Sequence, residues 1–132
     1  MATRQTALLI EDDPVFLSIV SVSLERRNYD VLTAMTFEEG LEFIDGKLIS
    51  FVMTDIFMPG MGGIEGIKIL KDKYPTIPVI AISGGWADLT PADTIEAAKL
   101  IGADAGIRKP VSSIDFDAAL EEIGKGNPFT DD

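Results

Sequence analysis

Asp55 closes an apolar run, Ile49-Ser50-Phe51-Val52-Met53-Thr54-Asp55, and is followed at once by Ile56-Phe57-Met58-Pro59-Gly60. A carboxylate at the end of such a run, with a turn beyond it, is held on a rigid stem at the edge of a sheet. Ala7-Leu8-Leu9-Ile10 likewise runs into Glu11-Asp12-Asp13, and Val79-Ile80-Ala81-Ile82 into Ser83-Gly84-Gly85. A fourth, weaker run ends at Lys109-Pro110. If these runs are parallel neighbours, their ends bring carboxylates, a hydroxyl and an ammonium group to one crevice. That set can bind a divalent cation and accept a phosphoryl group on Asp55.

The parallel arrangement follows from the pattern along the chain. Apolar runs near residues 7–10, 31–34, 51–54, 79–82 and 104–107 alternate with stretches of helical period. Continuous apolar runs are what parallel strands need, because helices cover both of their faces. Asp13 can cap the first helix, with Pro14 where no N–H is required. Phe16, Val20 and Leu24 then recur every four residues, with Val15 and Ile19 read as supporting them. Thr36 and Glu39 have the spacing of a capping box ahead of Leu41 and Ile44. Gly62, Gly63 and Gly66 weaken the third helix, which keeps a stripe of Ile64, Ile67 and Leu70. Thr90-Pro91 with Asp93 opens a fourth carrying Ile95, Ala98 and Ile101, stopped by Gly102. Ser113 opens the last, with Phe116, Leu120 and Ile123 on one face and Gly124 at its end. Five strand–helix pairs with right-handed crossovers give one open, doubly wound α/β domain, whose ligands bind beyond the carboxyl ends of the strands.

Composition narrows the chemistry. The 132 residues are 46% hydrophobic, enough for a single core, and no segment approaches the length of a membrane span. Cytoplasm is the expected location. The formal net charge is −11 without any basic cluster, which argues against binding a nucleic-acid backbone. There are no cysteines and no histidines. Thiolate catalysis, histidine bases, phosphohistidine and the usual transition-metal sites are therefore excluded. Oxygen ligands remain, and these suit Mg²⁺, Mn²⁺ or Ca²⁺. Residues 124–132 have the composition of a frayed tail, and Met1 with that polar tail suits a complete chain.

Each element has an ordinary explanation when taken alone. Asp13 fits a helix N-terminus, Asp55 could be a cap, Ser83 a loop residue and Lys109 a solvated lysine. Together and in order, Glu11-Asp12, Asp55 with Met58-Pro59, Ser83 and Lys109-Pro110 resemble the receiver domain of two-component response regulators. The resemblance runs from about residue 6 to residue 123 and implies a flavodoxin-like (βα)5 fold with strand order 2-1-3-4-5. It implies that Asp55 is the phosphoacceptor, with Asp12 and Asp55 as direct Mg²⁺ ligands. Glu11 would act largely through water, and the Phe57 backbone carbonyl would be a further ligand. Lys109 and Ser83 would meet the phosphoryl oxygens, and the Lys109-Pro110 bond would be cis. The implied donor is a sensor histidine kinase or a histidine phosphotransfer protein. The output partner is not implied, and the chain would be a monomer or a weak dimer.

Three departures from the family pattern stand out. Gly106 occupies the place of a Tyr or Phe that changes rotamer when the hydroxyl residue moves. Val111 follows Lys-Pro where an aromatic is common, and Gly60-Met61-Gly62-Gly63 lacks the acid usual at its third position. Without an aromatic at 106, the loop carrying Trp86 is the expected route for the signal. Phe57 and Gly85 are expected to set phosphoryl lifetime, with Phe57 shielding the phosphorus. A docking module that ignores phosphorylation is the main alternative. An aspartyl-phosphate hydrolase is less compatible, because Phe57 stands where such enzymes place a second Asp.

Overall fold

The computed structural model describes residues 4–57, 63–84 and 90–124. Five strands alternate with five helices: β1 (Gln5–Ile10), α1 (Pro14–Glu25), β2 (Tyr29–Ala34), α2 (Phe37–Gly46), β3 (Phe51–Asp55), α3 (Gly63–Lys73), β4 (Val79–Ser83), α4 (Pro91–Leu100), β5 (Ala105–Arg108) and α5 (Ser113–Glu122). All strand pairs are parallel, in the order β2-β1-β3-β4-β5. This is the doubly wound architecture expected from the alternation of apolar runs and helical periods.

Side chains on successive strand residues point to opposite faces, so each apolar run feeds two cores. Ala7, Leu9, Phe51, Met53, Ile80 and Ile82 join Val20 and Leu24 of α1 and Phe116 and Leu120 of α5. Leu8, Ile10, Val52, Val79 and Ala81 instead meet Phe37, Ile44, Ile67, Leu70 and Ala98 of α2, α3 and α4. Full burial contributes about 1.5–3 kcal/mol for each large apolar side chain. The strand ends are therefore stiff platforms.

Most helix signals act as their residue types dictate. The Asp13 side chain accepts the Val15 N–H, and Thr90 and Asp93 complete a reciprocal box at α4. Thr36 accepts the Glu39 N–H, while the Glu39 carboxylate reaches past Thr36 to the Met35 N–H. Ser112 caps α5, one residue before Ser113 begins it. Gly102 and Gly124 both have positive φ, a left-handed exit that glycine tolerates. Two expected stripe members face outward. Val15 and Ile19 are 66% and 59% exposed, because about 100° of rotation per residue carries them round from Phe16, Val20 and Leu24. Ile64 is also exposed, and buried Gly63 and Gly66 take its place on the inner face of α3.

Among the described residues, no helix is long and apolar enough to cross a membrane.

Candidate functional site

Strand register decides what meets at the carboxyl edge. Ile10 of β1 pairs with Thr54 of β3, so Glu11 and Asp55 leave the sheet side by side. Asp55 pairs with Ile82, which places Ser83 one step further out on β4. Ser83 pairs with Arg108, and the Lys109 N–H donates to the Ser83 carbonyl at 2.9 Å. The Lys109-Pro110 bond is cis.

Asp55 is 5% exposed, and both of its oxygens are engaged. The Phe57 N–H donates to Oδ1 at 2.9 Å and the Lys109 ammonium to Oδ2 at 2.7 Å. The same ammonium lies 3.1 Å from Glu11 Oε1 and 4.4 Å from the centre of the Phe16 ring. Burial works against its charge, but the contacts with Asp55 and Glu11 outweigh that and raise the Lys109 pKa. Glu11 is pushed up to about 7, first by burial and then by its contact with Asp55 and the repulsion between the two carboxyl groups.

One oxygen from each of Glu11, Asp12 and Asp55 lies within 4.8 Å of the others. Glu11 is buried, and its Oε1 makes no well-aligned hydrogen bond despite the nearby ammonium. Crowded acidic oxygens, one of them buried with only a poorly aligned ammonium beside it, fit a hard divalent cation. Phe57 lies close to this cluster, since its N–H already contacts Asp55.

The structure thus brings Glu11, Asp12, Asp55, Phe57 and Lys109 together, with Ser83 on the adjoining strand end. Met58, Pro59, Gly85 and Trp86 lie outside the described residues, as does the Trp86 route for the signal.

Three residues at or beside this edge escaped sequence reasoning. Phe16 reads as a core residue of α1, yet its ring carries the Lys109 ammonium. Gly63 reads as a weak helix start, although its backbone packs directly on the end of β3. Thr94 is buried at 3% exposure and lies 2.5 Å from the Ser83 hydroxyl. Stepping back four residues from the buried Ala98 would have found Thr94.

Acidic ends of β1 and β3 facing a lysine from the end of β5, on a parallel sheet of order 2-1-3-4-5, define a receiver-type α/β domain. Comparison with known proteins agrees. A family model for the response regulator receiver domain matches residues 7–121, and the chain belongs to that family. The heme response regulator HssR of Staphylococcus epidermidis is 37% identical over 106 residues, covering 78% of this chain and 44% of that protein. The chain thus spans less than half of that relative's length. A response regulator receiver domain protein from Clostridium thermocellum superposes with a TM-score of 0.79 at 30% identity, covering 90% of this chain and 93% of that one. A response regulator from Burkholderia pseudomallei, solved with a phosphorylated aspartic acid, a calcium ion and citrate, gives 0.74 at 28% identity. It covers 88% of this chain and 66% of that one. The flavodoxin-like fold expected from the resemblance is the fold observed.

Proposed function

We propose that this receiver accepts a phosphoryl group on Asp55 in a Mg²⁺-dependent reaction and signals through altered contacts with another protein. The donor is a histidine kinase or a histidine phosphotransfer protein, and the setting is the cytoplasm. One observation carries the proposal. A nearly buried aspartate at a strand end shares a cluster of acidic oxygens with Glu11 and Asp12 and contacts the Lys109 ammonium at 2.7 Å. The phosphorylated aspartic acid and calcium ion of the Burkholderia protein support the same chemistry for this chain.

In this reading Asp12, Asp55 and the Phe57 carbonyl hold the cation directly, and Glu11 acts through water. Mg²⁺ supplies charge neutralisation and a binding position for a phosphoryl oxygen. Asp55 contributes the nucleophilic oxygen. A bond from Asp55 to phosphorus forms as the bond from phosphorus to the donor histidine nitrogen breaks. The imidazole leaves with that electron pair and takes up a proton. Lys109 stays within reach of the phosphoryl oxygens, where its charge offsets theirs in the transition state. Ser83 donates its hydroxyl to one of them.

The test uses acetyl phosphate as a small donor. With Mg²⁺ the protein should gain close to one phosphoryl group, and with a chelator present it should gain none. No modification under either condition would leave a docking module, and continuous rapid release of phosphate would indicate a hydrolase.

Phe16 should tune this reaction through Lys109. A cation–π contact contributes about 0.5–1 kcal/mol at a partly exposed site, so Phe16→Leu should slow modification roughly 2- to 5-fold. Phe16→Tyr keeps an aromatic face and should stay close to the parent. Equal rates in all three proteins would show that the ring only fills space.

A further inference from the structure

The Ser83 hydroxyl is fully buried at the end of β4 and lies 2.5 Å from Thr94 Oγ1, in the first turn of α4. Thr94 has one hydroxyl proton. Its Oγ1 is 3.0 Å from the Pro91 carbonyl and 3.4 Å from the Thr90 carbonyl, both acceptors one turn back along the chain. Threonine hydroxyls commonly bond back to the preceding turn in this way. With its proton directed to the Pro91 carbonyl, Thr94 presents its lone pairs to Ser83, and the Ser83 proton points to Thr94. The backbone of Ser83 is tied to β5 by the Lys109 N–H. Reorienting its hydroxyl therefore requires side-chain rotation rather than strand movement.

From this geometry we propose that Thr94 is a positioning residue that holds the Ser83 hydroxyl on α4 until a phosphoryl oxygen competes for its proton. The inference rests on Asp55 being the phosphoacceptor. A hydroxyl has a single proton, so donation to the phosphoryl group ends donation to Thr94. Thr94 Oγ1 is then left without its donor in a buried site, an unfavourable state that favours a shift of the first turn of α4. Gly106 has no side chain to relay the change. A Cβ there would stand 2.2 Å from Ile95 Cγ2, so Ile95, the residue after Thr94, fills that space. The same helical turn thus holds both the hydroxyl partner and the apolar contact with β5.

The test measures affinity for beryllofluoride, a phosphoryl mimic, in the presence of Mg²⁺ by fluorine NMR. Thr94→Val keeps the shape but offers no acceptor, so binding should tighten roughly 3- to 10-fold, the range expected for one competing hydrogen bond. Thr94→Ser restores the acceptor and should return the affinity to within about twofold of the parent. In a Ser83→Ala background the Thr94→Val effect should vanish, which a purely structural role would not produce. In the unaltered protein, the amide signals of Thr94 and Ile95 should move when the mimic binds, a readout independent of how the variants fold. The proposal is overturned if the parent binds the mimic and Thr94→Val binds it equally or more weakly. It is also overturned if the effect survives Ser83→Ala, or if the Thr94 and Ile95 signals stay fixed. A parent that binds no mimic at all would instead overturn the assignment of Asp55, and this inference with it.

Discussion

Asp55→Asn should abolish phosphorylation by any donor while leaving the fold intact. The amide has nearly the size of the carboxylate but no anionic oxygen to attack phosphorus, so no acyl phosphate can form. The fold should survive because Asp55 lies at the sheet edge and not within either core, and Lys109 keeps Glu11 at 3.1 Å. Removing one of three crowded carboxylates also relieves repulsion, so the variant should be at least as resistant to denaturant as the parent. The readout is intact mass after incubation with acetyl phosphate and Mg²⁺, alongside a denaturation curve. Stable phosphate on the Asn variant would mean that another residue is the acceptor.

Gly63→Ala should be the most damaging small substitution near the site. A Cβ there would stand 2.5 Å from Ile56 Cα, 2.6 Å from the Asp55 carbonyl oxygen and 2.7 Å from the Ile56 carbonyl oxygen. All three are backbone atoms, so no side-chain rotation relieves the overlap. The Gly63 N–H also donates to the Ile56 carbonyl at 2.8 Å, fixing the start of α3 against the end of β3. The substitution must push α3 away or bend the strand that carries Asp55. Overpacking of this kind costs about 1–3 kcal/mol, which the denaturation midpoint would reveal. Gly46→Ala is the matched control, since nothing lies within 4 Å of a Cβ at that position. It should be neutral or slightly stabilising, because alanine costs less backbone entropy in a helix than glycine. A Gly63→Ala protein as stable as the Gly46→Ala protein would contradict the close approach.

Much of this architecture was legible because its cause is local. Continuous apolar runs announce buried parallel strands, and Asp13, Thr36, Thr90, Gly102 and Gly124 mark helix ends through bonds made within a few residues. The carboxylates and Lys109 were legible as a set because each follows its strand directly, so strand order alone brings them together. The remainder depends on packing between distant segments. Periodicity did not show that Val15 and Ile19 turn outward, since α1 carries apolar residues around more than one face. Gly63 looked like a poor helix residue because the backbone it approaches belongs to another element. Phe16 contacts Lys109 from α1, and no spacing rule links them. Thr94 was hidden by its neighbour, because Ile95 seemed the natural inward residue while α4 in fact buries Thr94 and Ala98.

The identity of the phosphoryl acceptor can be read directly from the modified residue. Borohydride reduction of the acetyl phosphate-treated protein converts an aspartyl phosphate to homoserine, and peptide mass mapping then locates it. Homoserine should appear at position 55 alone, formed only when Mg²⁺ is present. Homoserine at position 12, or at any site other than 55, would contradict Asp55 as the acceptor.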